Sequence, residues 1–288
     1  MFISIFTPAY NRRQLIERLY KSLLEQTNYQ FEWIVVDDGS TDGTELFFAE
    51  LQQLELPFKL VYHKKENAGK HIAINVGVKL AQTPVFFIVD TDDYLTIDAV
   101  ETIQKRWIEV EKNSAIAGIV FNRCTLDGNA IGNPQYTQID CSPLDFRYKF
   151  KEKGDKAEVI RTSIFEKYPF PETAGEKFCP EALFFNRLKN YCLRYINKNI
   201  YMCEYQPGGL TSNIFKVRKN SPVNTCMCYG ELVNDDIPAI QKLKAMINFY
   251  RFERYSVAKI ELPFKQTLKS RLAKSVADLM YLVQDKNR

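Results

Sequence analysis

The chain has 288 residues, 45% hydrophobic, 13% aromatic and 26% charged, with a formal net charge of +4. That is ample for a closed core, and 12 Gly with 12 Pro exclude a collagen-like or low-complexity chain. No apolar run approaches the ~20 residues that span a bilayer, and seven cysteines without a Cys-x-x-Cys pair argue against a disulfide framework or a structural zinc site.

MFISIFTPAYNRR has no basic region ahead of its short apolar stretch and no small-residue cleavage site, so it does not read as a signal peptide. Within it, Phe2–Thr7 is a β-rich run that Pro8 is expected to stop, and Leu15, Leu19 and Leu23/Leu24 mark a helix. Trp33–Val36 is a second apolar strand ending in Asp37, Asp38 and Gly39, with Ser40 or Thr41 expected to cap the next helix. Phe58–Tyr62 is a third strand, and Ile72, Val76 and Leu80 a helical stripe closed at Thr83-Pro84. Val85–Val89 runs straight into Asp90-Thr91-Asp92-Asp93, followed by a helix with Val100, Ile103 and Trp107 and a strand at Ile116–Phe121. Strands alternating with helices predict an α/β fold with a mostly parallel sheet covered on both faces, which binds ligands at the carboxyl ends of its strands.

Residues 123–157 read as a long loop or meander, Lys177–Tyr191 as a helix and Arg194–Tyr201 as a short strand pair. Tyr205–Leu210 is either a simple turn or a flap over a site. Leu268, Leu272, Val276, Leu279 and Val283 make an amphipathic C-terminal helix with Lys269, Arg271 and Lys274 beside it. The expected organisation is one domain over residues 1–210 and a helical extension over 211–288. Charge divides unevenly: residues 1–110 carry a net −5 and the remainder +9. The dispersed Lys and Arg of the second half match no nucleic-acid recognition motif.

Four loops carry the chemistry. Asp90, Asp92 and Asp93 would repel one another strongly unless a cation such as Mg²⁺ or Mn²⁺ intervened, since such ions bind through one or two carboxylates plus substrate phosphates; a helix start would use the same residues. Asp37 and Asp38 place acceptors where a base edge or ribose hydroxyl could be read, or simply form a strand-to-helix turn. Tyr10 offers a ring for a nucleobase and Arg13 a guanidinium for phosphate. Asn67-Ala68-Gly69-Lys70-His71 is a turn before a helix with too few glycines for a phosphate loop of the Gly-x-x-x-x-Gly-Lys type. His63 and His71 read as loop or packing residues.

The order and spacing of FTPAYNR (6–12), WIVVDDGSTDGT (33–44), ENAGKHIAIN (66–75) and FIVDTDDYL (87–95) resemble the family 2 glycosyltransferases. GDKAE (154–158) and GEKFCPEALFFNRL (175–188) extend the likeness more weakly to about residue 210. The resemblance implies a GT-A (Rossmann-like) fold and inverting transfer of a sugar from a nucleotide diphosphate donor, with a UDP-sugar expected. It implies that Asp38 or Asp37 meets the nucleobase, that Thr7, Pro8, Tyr10 and Arg13 line the nucleoside, and that Lys70 approaches the donor. Asp90, beside Thr91, would face the ribose or a Mg²⁺ or Mn²⁺ ion, Asp92 would hold that ion on the diphosphate, and Asp93 is a further ligand candidate.

Family members place the general base as Glu-Asp at a helix start, with an arginine six residues beyond. This chain has Pro180-Glu181 with Arg187 six residues on, which makes Glu181 the expected base and Glu176 the reserve. The expected acceptor is a glycan or lipid-linked hydroxyl in cell-surface polysaccharide synthesis on the cytoplasmic face of the membrane. The basic C-terminal helix fits peripheral contact with anionic lipid, and equally packing on the catalytic domain or a homodimer partner. A catalytically inactive nucleotide-sugar-binding scaffold is the alternative reading.

Overall fold

A computed structural model describes residues 1–204 and 213–286, and the Tyr205–Leu210 turn lies outside them. The chain divides into two compact units, one of Met1–Pro169 with the segment from Leu188, the other of Phe170–Arg187 with the C-terminal residues.

The first unit is built on a nine-stranded sheet: β1 (Ile3–Ala9), β2 (Phe31–Asp37), β3 (Lys59–Lys64), β4 (Val85–Ile88), β5 (Tyr94–Leu95), β6 (Ile116–Cys124), β7 (Gln138–Cys141), β8 (Lys156–Arg161) and β9 (Cys192–Met202). Its order is β3-β2-β1-β4-β8-β6-β9-β5, with β7 also on β9. Strands β1 to β4 are mutually parallel, and β8 runs antiparallel to both β4 and β6. Strand β9 is parallel to β6. The carboxyl ends of β1–β4, β6 and β9 therefore lie along one edge, and the motif loops after β1, β2, β3 and β4 leave from that edge.

Burial explains the sheet. Every residue of β2 is buried, as expected of a central strand covered on both faces. Odd-numbered Ile3 and Ile5 join Trp33, Phe87 and Ile119 in a cluster closed by α1 (Arg13–Leu24), α2 (Thr44–Leu51) and α4 (Ala99–Ile108). On the other face Phe6 stacks on Phe86 at 5.0 Å, beneath α3 (Lys70–Leu80) and α5 (Thr162–Lys167). Gly118 lets β6 approach β8, because a Cβ there would stand 2.4 Å from the Val159 carbonyl oxygen.

Several local expectations are corrected. Pro8 does not stop β1, which continues through Ala9 beside β2. Neither Ser40 nor Thr41 caps α2; Asp42 Oδ1 instead takes the Thr44 N–H at 3.2 Å and its hydroxyl at 2.6 Å. The loop expected over 123–157 holds β7, a π-helical turn at Asp145–Lys149 and the start of β8. The strand pair at 194–201 is one bent strand, β9, flanked by β7 along its first half and β5 along its second. Within 177–191 only α6 (Ala182–Arg187) is α-helical, beginning after Pro180, whose ring disfavours helix at Cys179.

The second unit contains α6, α7 (Ile214–Lys219), α8 (Pro222–Val233), α9 (Ala239–Glu253) and α10 (Leu268–Met280). Ala273 and Ala277 of α10 pack with Phe249 and Phe252 of α9, and a capping box at Thr267 and Ser270 starts the helix. Leu268, Leu272 and Leu279 of α10, with Leu282 and Val283 just beyond, remain exposed. No described helix is long and apolar enough to cross a membrane.

Candidate active site

Strand β2 delivers two carboxylates with different duties. Asp37 is fully buried, its Oδ1 accepting the Ser40 N–H at 2.7 Å and its Oδ2 the Tyr62 hydroxyl at 2.6 Å. Burial first, then that carboxylate, push the Tyr62 phenol far above its ordinary range. Asp38 reaches across to the loop before α3. Its Oδ1 accepts from Lys65 Nζ at 2.6 Å and the Ala68 N–H at 2.9 Å, and its Oδ2 accepts the Gly69 N–H at 2.7 Å. Gly39 adopts a φ of 84°, and a Cβ there would lie 3.0 Å from the Asn67 nitrogen. A larger residue in that turn would be strained at this φ and would crowd the Asn67 backbone.

The loop after β1 is tied to the same region. Asn11 Oδ1 accepts the Thr41 N–H at 2.9 Å, and the Asn11 N–H donates to Ser40 Oγ at 2.9 Å. Tyr10 is exposed and Pro8 half-buried. The Thr7 side chain, in contrast, is fully buried and accepts the Trp33 indole N–H at 3.0 Å, so it serves the core. The Arg13 guanidinium lies 3.9 Å from the centre of the Phe47 ring and pairs with Glu17 at 2.7 Å.

Strand β4 brings in the acidic turn. Lys70, the first residue of α3, places Nζ 2.6 Å from Asp90 Oδ1, and Arg123 at the end of β6 lies 3.8 Å from Asp90 Oδ2 and 3.6 Å from Asp93 Oδ2. Arg123 also covers the Tyr201 ring at 4.3 Å and donates from Nε to the Lys156 carbonyl at 2.7 Å. Burial opposes ionisation of Asp90, but Lys70 and Arg123 outweigh it and hold the carboxyl below its ordinary value. For Asp93, burial and then the Asp90 charge prevail over Arg123 and push the carboxyl up to about 6. Thr91 is buried. Asp92 is half-buried, and its carboxylate has no hydrogen-bond or ion-pair partner among the described residues.

Sequence reasoning missed Arg123, Tyr201 and Arg18. A charged residue ending an apolar strand, as Arg123 does in IAGIVFNRC, was the available signal. In the second unit, Glu181 directly precedes α6 and is half-buried. Glu176 accepts the Val223 N–H at 2.7 Å and the Asn224 N–H at 2.8 Å, which makes it the N-terminal cap of α8. Both oxygens of the reserve candidate are thus engaged within its own unit. Arg187 grips Glu231 through Nε at 2.9 Å and Nη2 at 2.6 Å.

A sheet with acidic and basic groups gathered where its parallel strands end, flanked by helices on both faces, is the GT-A arrangement. S. aureus TarS 1–349 in complex with UDP-GlcNAc aligns with 99% of this chain and 82% of that one, at a TM-score of 0.63 and 21% identity. A mannosyltransferase of Pyrobaculum calidifontis in complex with GDP-Man and Mn²⁺ aligns with 99% of this chain and 81% of that one, at 0.53 and 15%. The model of glycosyl transferase family 2 matches residues 4–164, more than half of the chain, and the chain belongs to that family. Glycosyltransferase GlyA of Streptococcus pneumoniae is 31% identical over 223 residues, which are 73% of this chain and 31% of that protein. The chain thus spans about a third of that relative's length.

Asp93 gives a pH signature. Its folded pKa of about 6 exceeds the ordinary 3.8, so the folded state keeps a proton that the unfolded state releases between those values. The contribution is full at low pH and is lost as pH rises from about 4 to 6, by up to ~3 kcal/mol. Urea unfolding across pH 4–7 is expected to show this loss in the native chain and not in Asp93→Asn; parallel profiles would refute it.

Proposed function

We propose that this chain is an inverting glycosyltransferase that moves a sugar from a UDP-sugar to a hydroxyl of a glycan acceptor, with Mg²⁺ or Mn²⁺ bound at the acidic turn. One observation carries the reading. Of the carboxylates in that turn, Asp90 and Asp93 are held by basic groups, whereas half-buried Asp92 has no partner among the described residues. Binding of UDP-GlcNAc by a protein of the same fold supports the choice of donor.

The residues suit a hard divalent ion. Their donors are oxygens, and Lys70 Nζ, 2.6 Å from Asp90 Oδ1, already puts a positive charge beside the turn. Among the described residues no three His, Cys, Asp or Glu converge as a ready cage. The ion would therefore be held by Asp92, by Asp90 after exchange with Lys70, and by donor phosphate oxygens. Once bound, it would offset charge developing on the leaving diphosphate.

The chain's own groups supply the rest of the proposal. Lys70, released from Asp90, would pair with phosphate at the N-terminus of α3, where the helix dipole also favours an anion. Tyr10 and Pro8 would flank the nucleobase, with Asp38 keeping the 65–69 loop against it. Asp37, fully engaged, would support that wall from within. Glu181, directly before α6 in the second unit, would act as the general base that takes the proton of the attacking hydroxyl. Asp92→Asn is expected to lower kcat/KM about 100-fold or more with the thermal transition retained. Glu181→Gln is expected to bind UDP normally and lose transfer to a similar extent. Native turnover in Asp92→Asn would overturn the reading.

The exposed apolar face of α10 supports a second element, contact with an anionic membrane surface. Leu268, Leu272 and Leu279 are exposed beside Lys269, Arg271 and Lys274. The chain is expected to float with phosphatidylcholine vesicles containing phosphatidylglycerol, and Leu272→Asp with Leu279→Asp to stay behind. Equal flotation of the two proteins would remove the membrane contact.

A further inference from the structure

The acidic turn is shaped by a residue that lies outside it. Arg18, in the middle of α1, sends Nη2 to the Asp92 carbonyl oxygen at 2.6 Å. Its Nη1 meets the Glu204 carboxylate, just beyond the end of β9, and its guanidinium lies 4.8 Å from the centre of the Tyr94 ring. One side chain thus joins a helix, the turn after β4 and the end of β9.

We infer that Arg18 is a positioning residue that sets the direction of the Asp92 carboxylate and thereby tunes divalent-cation affinity. The turn has three anchors. The Asp90 N–H donates to the Tyr201 hydroxyl at 3.0 Å, and the Asp93 N–H closes back on the Asp90 carbonyl at 3.2 Å. These two secure the flanks of the turn. The Asp92 peptide carbonyl is held by Arg18. A guanidinium-to-carbonyl bond is charge-assisted and directional. It fixes the peptide plane that follows the Asp92 Cα, and so limits where the Asp92 Cβ and carboxylate can point.

The geometry also explains why arginine serves here. Nη1 and Nη2 reach two acceptors on different elements at once, while the flat face of the group rests against Tyr94. A lysine ammonium could reach either acceptor but could not hold both and stack on the ring. Glu204 keeps the guanidinium in orientation. Glu204 offsets the charge of Arg18, which bonds the Asp92 carbonyl and not its carboxylate, so that carboxylate stays available for a ligand. An ion bound by a carboxylate already aimed loses less side-chain freedom than one that must order it.

This inference rests on the proposed role of Asp92 as a metal ligand, and the experiment separates the two. Mn²⁺ binding is measured by electron paramagnetic resonance in the presence of UDP, without acceptor or turnover. The proteins are the native chain, Arg18→Ala, Arg18→Lys and Glu204→Gln, each checked by circular dichroism. Arg18→Ala is expected to weaken Mn²⁺ binding at least threefold, and Arg18→Lys to recover part of that loss. Glu204→Gln is expected to fall between the native chain and Arg18→Ala. If Arg18→Ala fails to fold, a loss of at least threefold in the folded Arg18→Lys protein decides in favour. Affinity within threefold of native in the folded Arg18 variants overturns the inference and leaves the functional reading intact. Absence of Mn²⁺ binding in the native chain removes both.

Discussion

Carboxylates gathered at one edge of a sheet repel each other, and the architecture of this site follows from how that repulsion is relieved. Each carboxylate is satisfied from a different part of the chain. Asp37 takes donors from its own turn and from β3, and Asp38 from the loop before α3. Asp90 takes Lys70, and Asp93 takes Arg123 together with the Tyr201 hydroxyl. Because the partners come from β3, α3, β6 and β9, the electrostatics can balance only when the sheet has assembled in register. The exception is Asp92, whose carboxylate has no partner among the described residues.

That division separates carboxylates already engaged by protein donors from one that, among the described residues, is not. Asp37 and Asp38 occupy the positions from which the family resemblance predicts nucleobase contact, yet both spend their oxygens on protein donors. Their effect is to join the β2 and β3 loops into one wall. Glu176 is similar: a carboxylate at 9% exposure that accepts two N–H groups of α8 stabilises a helix end. Burial raises its pKa while those N–H groups lower it, and burial prevails.

Much of the fold was legible because the central strands are buried on both faces and therefore read as continuous apolar runs, as in FEWIVVD. The existence of α1 was legible from the spacing of Leu15, Leu19 and Leu23, although its buried face is completed by Ile16 and Leu15 is only half-buried. What was hidden was non-local. Strand β7 has only four residues, and its identity depends on pairing with β9, more than 50 positions away. Arg123 and Tyr201 became site residues only through the alignment of β6 with β9, and the bulges in that pairing have no local sequence signal. Glu176 and the N-terminus of α8 are 47 positions apart, so its capping role could not be read from its neighbours. The motif loops were legible as chemistry, but which of their acids were already paired was not.

The most direct test is calorimetric titration of UDP into the native chain with Mn²⁺ present and again with the metal removed by EDTA. An unpaired Asp92 beside a Lys70–Asp90 pair predicts UDP affinity at least about tenfold higher with Mn²⁺, a difference of roughly 1.4 kcal/mol, because the ion would link the carboxylates to the diphosphate. Equal affinity in the two conditions, or no UDP binding in either, would contradict the account.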